Sequence, residues 1–260
     1  MSYTNLPSAF PQTKLTCKSF LDAQELFTPS ATRKFAIGQE LEIQGVGKFR
    51  YCKAGATGLS KCYMGAAAAP DAQAITSTAQ TAYGAAAGSV KFDILQTTGN
   101  AFSDGDLVGG KLLVDDGGTA MGDIYVIKSN VWKTGDTVMT VEIADEGGLR
   151  NAIEATDDVV CFKPKCLGTV VSPTNPVSPL VGVPLVDVTA NYYYWAQFSG
   201  MTPMFVDGTD TIVAGDMVTI SDSVAGTIHL NDALADDVPV GICMFASAVS
   251  EVSLIDQLIP

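Results

Sequence analysis

The stretch Asn191-Tyr-Tyr-Tyr-Trp-Ala-Gln-Phe-Ser-Gly200 decides how the rest of the 260-residue chain is read. Aromatic residues favour strands and carry large areas for burial. In a strand, successive side chains point to opposite faces. Tyr192, Tyr194, Ala196 and Phe198 then share one face, and Tyr193, Trp195 and Gln197 share the other. A strand aromatic on both faces has no solvent side. It must sit inside a barrel, or between a core and a neighbouring subunit.

Composition agrees with a β protein. Hydrophobic residues make up 47% of the chain and charged residues 17%, with 25 Gly and 12 Pro. Short strands and turns suit this mixture better than long amphipathic helices. Strand and turn signals alternate outward from the aromatic stretch in both directions. Upstream, Leu41 and Ile43 alternate with Glu40, Glu42 and Gln44, and Phe49 and Tyr51 alternate with Lys48, Arg50 and Cys52. Residues 54–89 are rich in Ala and Gly and read as an extended connector. From 89 to 165 turn signals such as Asp115-Asp-Gly-Gly118 recur every 8–12 residues, the spacing of a sandwich or barrel. Pro173, Pro176, Pro179 and Pro184 mark a rigid crossing. Beyond it, Met217-Val-Thr-Ile220, Val238-Pro-Val-Gly-Ile-Cys-Met-Phe245 and Glu251-Val-Ser-Leu-Ile-Asp256 continue the short-strand pattern. The expected fold is all-β: short-stranded antiparallel barrels or sandwiches with an extended N-terminal arm. The expected boundaries are an arm at 1–34, a first β segment with its connector at 35–88, an inserted β subdomain at 89–165 and a C-terminal barrel module at 166–260.

Charge is distributed unevenly. Residues 1–70 carry eight basic and four acidic residues; residues 166–260 carry ten acidic residues and neither Lys nor Arg. The net charge of −13 argues against nucleic acid as a partner, since nucleic-acid binders need a basic surface. Lys14, Lys18, Arg33 and Lys34 make the arm cationic, and with Tyr193 and Trp195 they are the candidate interface residues. The arm, with a short helix near Asp22 to Phe27, would lie over an acidic neighbouring subunit and be separable from a folded body. No secretory signal is visible at Met1-Ser-Tyr-Thr-Asn5, and no apolar run approaches the roughly 18 residues of a membrane helix. Synthesis in a cytoplasm and no membrane partner follow as expectations.

Catalytic chemistry finds few residues. His229 is the single histidine and reads as a structural residue of a strand. No Gly-x-Ser-x-Gly elbow is present, and Gly109-Gly-Lys111 lacks the remainder of a phosphate loop. Carboxylate pairs occur at Asp104/Asp106, Asp115/Asp116, Asp145/Glu146, Asp157/Asp158 and Asp236/Asp237. All lie in or beside turns, where Asp is favoured by its bonds to the backbone. The six cysteines, Cys17, Cys52, Cys62, Cys161, Cys166 and Cys243, form no Cys-x-x-Cys and read as buried free thiols. No enzyme, cofactor or metal site is expected from these residues.

The C-terminal order of motifs points to a family. Tyr194-Trp-Ala-Gln-Phe-Ser-Gly200, Pro203-Met-Phe-Val-Asp-Gly208, Ala214-Gly-Asp-Met-Val218, Pro239-Val-Gly-Ile242 and Val252-Ser-Leu-Ile255 follow one another as in head structural proteins of tailed bacteriophages. The chain most resembles their capsid decoration (cement) proteins. Phe49-Arg-Tyr-Cys-Lys-Ala-Gly-Ala56 and Gly109-Gly-Lys-Leu-Leu-Val-Asp-Asp-Gly117 extend the likeness, which covers residues 46–70 and 105–260. The resemblance implies a virion protein on the capsid exterior, bound to the major capsid protein and to itself as a homotrimer. Phage tail or head-fibre proteins are the alternative, with a carbohydrate-binding or carbohydrate-active β protein behind them.

Overall fold

The computed structural model describes residues 15–17, 26–68, 74–78, 85–95, 103–116, 118–133, 138–154, 157–174, 176, 178–208, 211–231, 238–245, 247–248 and 250–259. These residues are nearly all β. The chain divides into two compact units: residues 1–68 with 165–260, and residues 69–164.

The second unit is an antiparallel six-stranded sheet. Its strands are β5 (Ala74–Thr78), β6 (Lys91–Leu95), β7 (Lys111–Asp116), β8 (Ile124–Trp132), β9 (Val138–Ile143) and β10 (Asp158–Phe162), ordered β5-β10-β7-β8-β9-β6. Leu112, Val114, Ile127, Met139, Val141 and Val159 belong to its core. The sequence boundary at 89 falls inside this unit, because β5 pairs with β10 along its whole length. Residues of the presumed connector are therefore sheet.

The first unit contains β1 (Leu15–Cys17), β2 (Glu40–Ile43), β3 (Gly47–Ala54), β4 (Gly65–Ala66), β11 (Leu167–Val171), β12 (Leu180–Pro184), β13 (Tyr193–Phe205), β14 (Met217–Ile220), β15 (Ile228–Leu230), β16 (Pro239–Cys243) and β17 (Val252–Leu258). Two hydrogen-bonded circuits share β13. In the first, β3-β11-β4-β12-β13 closes on itself because the front half of β13 also pairs with β3, Tyr193 to Lys53 through Ala196 to Arg50. In the second, β13-β17-β16-β14-β15 closes through the parallel bridge between Val206 and Ile228. Closing a sheet removes its unpaired edges.

This arrangement corrects the sequence reading at three points. Residues 35–68 are not a separate segment: β3 is the partner of β13 and belongs to the same ring as residues 166–184. The proline-rich crossing contains a core strand, since every residue of β12 is buried. Pro184 is tolerated because it ends that strand. The arm, where described, is tied to the body. Strand β1 runs parallel to β2, Leu26 is buried in the first ring's core, and Ser30 exchanges backbone bonds of 2.9 and 2.8 Å with Tyr193. Of the expected helix, only a single turn at 26–27 lies within the described residues.

Between its two halves β13 turns at Gly200, whose φ of +89° is a left-handed conformation. A Cβ there would stand 2.7 Å from the Val46 carbonyl oxygen. Replacing Gly200 with Ala is expected to cost about 1–3 kcal/mol from strain at this φ alone, read by chemical denaturation; an unchanged midpoint would show that the bend does not need glycine.

Candidate functional site

Both faces of the aromatic strand are buried, and the chain itself supplies the cover. On one face Tyr194 lies opposite Cys52 and Ala196 opposite Arg50. The Tyr194 and Thr169 hydroxyls are 2.9 Å apart. Burial, with the neighbouring Cys52, holds the Tyr194 phenol well above its usual pKa, so it stays neutral. The Arg50 guanidinium sits 3.7 Å from the centre of the Phe198 ring, with Glu40 3.7 Å away. Cys52 and Cys166 are neighbours within this layer, where the Cys52 thiol donates to the Arg50 carbonyl at 3.4 Å. Burial raises Cys52; the neighbouring Cys52 thiol, with Arg50 and Lys165, lowers Cys166. The 113 residues between Cys52 and Cys166 hide their proximity from sequence reading. The fold brings Cys52 to Cys166 by placing Cys166 beside β3, where its carbonyl accepts from Lys53 at 2.9 Å.

On the other face Trp195 is only 3% exposed. Its ring meets Phe35 at 5.2 Å and Tyr51 at 5.1 Å, and Tyr51 stacks on Tyr193 at 5.9 Å. Leu26 and Ile37 belong to the same core cluster. Of the two covers the sequence left open, a barrel interior or a neighbouring subunit, the one over Trp195 comes from within the chain, with residues 26–37 contributing. Trp195 is a core residue of its own chain, and Tyr193 is half-buried. Arg33 is exposed, its Nε donating to the Phe35 carbonyl at 2.9 Å; Lys34 is exposed and its backbone N–H donates to the Tyr51 hydroxyl at 3.0 Å. Lys14 and Lys18 lie outside the described residues.

The carboxylate pairs serve their turns. Asp104 accepts from the Trp132 N–H at 2.8 Å, Asp106 from Ser103 at 3.0 Å, Asp145 from Gly147 at 3.0 Å and Asp157 from Glu154 at 2.9 Å. Asp106, Asp145 and Asp157 each hold a local turn, while Asp104 ties its loop to the end of β8, 28 residues on. Asp236 and Asp237 lie outside the described residues. No helix among the described residues is long and apolar enough to cross a membrane.

A different surface emerges on the second ring. Met217 pairs with Ile242, Ile242 with Asp256, and Asp256 with Met201, which forms one line across β14, β16, β17 and β13. Directly opposed residues share a sheet face. Alternate residues of β17 add Val252, Leu254 and Leu258 to it, while Ser253, Ile255 and Gln257 turn inward. Met201 is 52% exposed, Met217 45%, Ile242 38%, Val252 42% and Leu258 58%, and Asp256 is the charge in that line. The inner face packs Met204, Val218, Val240, Cys243 and Ile255 into the core. A sheet with a core on one side ordinarily alternates apolar with polar; this one carries apolar side chains on both. Sequence reading missed the surface because its residues come from four strands and align only once the register is known. The local signal was the run of exposed-face hydrophobics in Val252-Ser-Leu254 and Ile242-Cys-Met244.

Compared with protein-family models, with curated proteins and with solved structures, the chain matches none.

Leu26→Ala and Trp195→Ala are each expected to destabilise the protein, by about 2–5 and 3–5 kcal/mol respectively. Equilibrium unfolding measures both. An unaffected Leu26→Ala variant would mean that residues 26–34 are a detachable arm after all.

Proposed function

We propose that the chain is a non-enzymatic structural protein of a tailed-phage head, a decoration protein that associates with copies of itself and reinforces the capsid from outside. The observation that carries this reading is the apolar outer face of the second ring. Exposed apolar patches on a soluble domain mark places where something else packs, and methionine-rich surfaces adapt well to partners. Closed threefold association would bury this face against neighbouring copies, without leaving a repeating open edge. The resemblance of the C-terminal motif order to that of decoration proteins supports the same assignment and implies the remaining partner, the major capsid protein.

The mechanism needs no bond-making. A protein that binds the assembled shell and not its dissociated subunits stabilises the shell by its binding free energy, through mass action. Half-exposed hydrophobics such as Met201, Ile242 and Leu258 would each contribute about 1 kcal/mol when covered. Individually weak, they act together in every copy of a ring.

Light scattering of the purified full-length chain should return three times the chain mass of 27.1 kDa. Met201→Lys with Ile242→Lys should give monomers whose unfolding midpoint, measured at dilutions where the wild type has dissociated, is changed by less than about 0.5 kcal/mol, since both positions are on the surface. A wild-type monomer that is also absent from purified virions would overturn the proposal.

A further inference from the structure

The hairpin of β14 and β15 has an apolar face and a more polar face, and both carry buried side chains. Val218, Ile220 and Ile228 turn into the core of the second ring. Thr219 and His229 are register partners and so share the opposite face, with Ser221 two residues further along the strand. Thr219 and Ser221 are fully buried and His229 is 4% exposed. Asp207, 2% exposed, follows the end of β13 and is held there by its N–H, which donates to the Ile228 carbonyl at 2.9 Å. The Ser221 hydroxyl donates to the Asp207 carboxylate at 2.5 Å. Asp222, in the turn that follows, is exposed.

One ligand atom each from Asp207, Asp222 and His229 lies within 4.8 Å of the others. The Thr219 Oγ1, buried directly across from His229, has no hydrogen-bond partner among the described residues. A buried hydroxyl without a partner costs stability unless something else, such as a bound water, completes it.

We infer that Asp207, Asp222 and His229 form a binding site for a divalent zinc-class cation. Zinc takes imidazole nitrogen and carboxylate oxygen at about 2.0–2.2 Å, with four ligands arranged tetrahedrally. Three protein ligands leave the fourth position to a water, and Thr219, the register partner of His229, brings an unpartnered hydroxyl to the same face. The Ser221 hydroxyl orients the Asp207 carboxylate, as outer-shell partners of metal ligands do. Calcium and magnesium fit the donor set less well, because they want six or more oxygens and the site offers an imidazole and two carboxylates. Asp222 lies on the solvent side and gives the ion its way in. Bound there, the cation would clamp the β14–β15 hairpin to the end of β13, the strand common to both rings.

The sequence alone gave no hint of this set, since 22 positions separate Asp207 from His229 and their spacing matches no metal motif. The full chain, stripped with a chelator, should bind one equivalent of Zn2+ by calorimetry and unfold at a higher temperature with it. Co2+ used as a probe should give visible bands without the thiolate charge-transfer absorption that cysteine ligands produce. Asp222→Asn should weaken Zn2+ binding by more than about tenfold, the range that loss of even an outer-shell partner costs a metal site. Its melting temperature in chelator should match the wild type, because Asp222 is exposed. Absence of Zn2+ binding, equal affinity in Asp222→Asn, a thiolate band with Co2+, or a preference for Ca2+ would each overturn the inference.

Discussion

Burial of both faces of β13 is the constraint on which the first unit depends. A strand carrying Tyr194 and Phe198 on one side and Trp195 on the other must be enclosed twice. The chain meets this by running β13 through two closed circuits and bending it at Gly200 between them. Its front half is covered by β3, β12 and residues 26–37; its rear half pairs with β17 and lines the second core. Removing any of these covers exposes aromatic area that no other part of the strand can hide. Segments far apart in sequence are therefore obliged to meet: residues 26–54, 167–184 and 252–258 all close on this strand.

The same enclosure separates what is structural from what is available to partners. Tyr194, Trp195 and Phe198 are the largest apolar groups of the front half of β13, yet they are spent internally. Outside, on the second ring, lies the line of Met217, Ile242 and Met201, with Val252 and Leu258 beside it. These residues are smaller and more flexible, and their face carries little charge. Such a surface suits repeated contact between copies, where each contact is modest and closed symmetry multiplies it.

Much of the fold was legible in the residues themselves. Period-two alternation at Leu41 and Ile43, turn dipeptides such as Asp207-Gly208, and the two-faced aromatic run were enough to place an all-β chain with an inserted β unit. What could not be read was pairing between distant strands. Register and ring closure are properties of contacts across a hundred or more residues, and a one-residue slip exchanges a strand's faces. That is why Trp195 was assigned to a possible interface and proves to be core. It is also why the outer face of the second ring, the Cys52–Cys166 pair and the meeting of Asp207, Asp222 and His229 had no signature in the sequence. Each is assembled from elements whose adjacency only the sheet order reveals.

The central claim is that this chain coats a phage head through copies packed on the outer face of the second ring. Electron cryo-microscopy of the virions that carry it tests the claim most directly. The account predicts density for both rings on the outside of the shell around local threefold axes, with Met201, Ile242 and Leu258 turned toward neighbouring copies. Density on the tail, or on the shell with that face open to solvent, would contradict it.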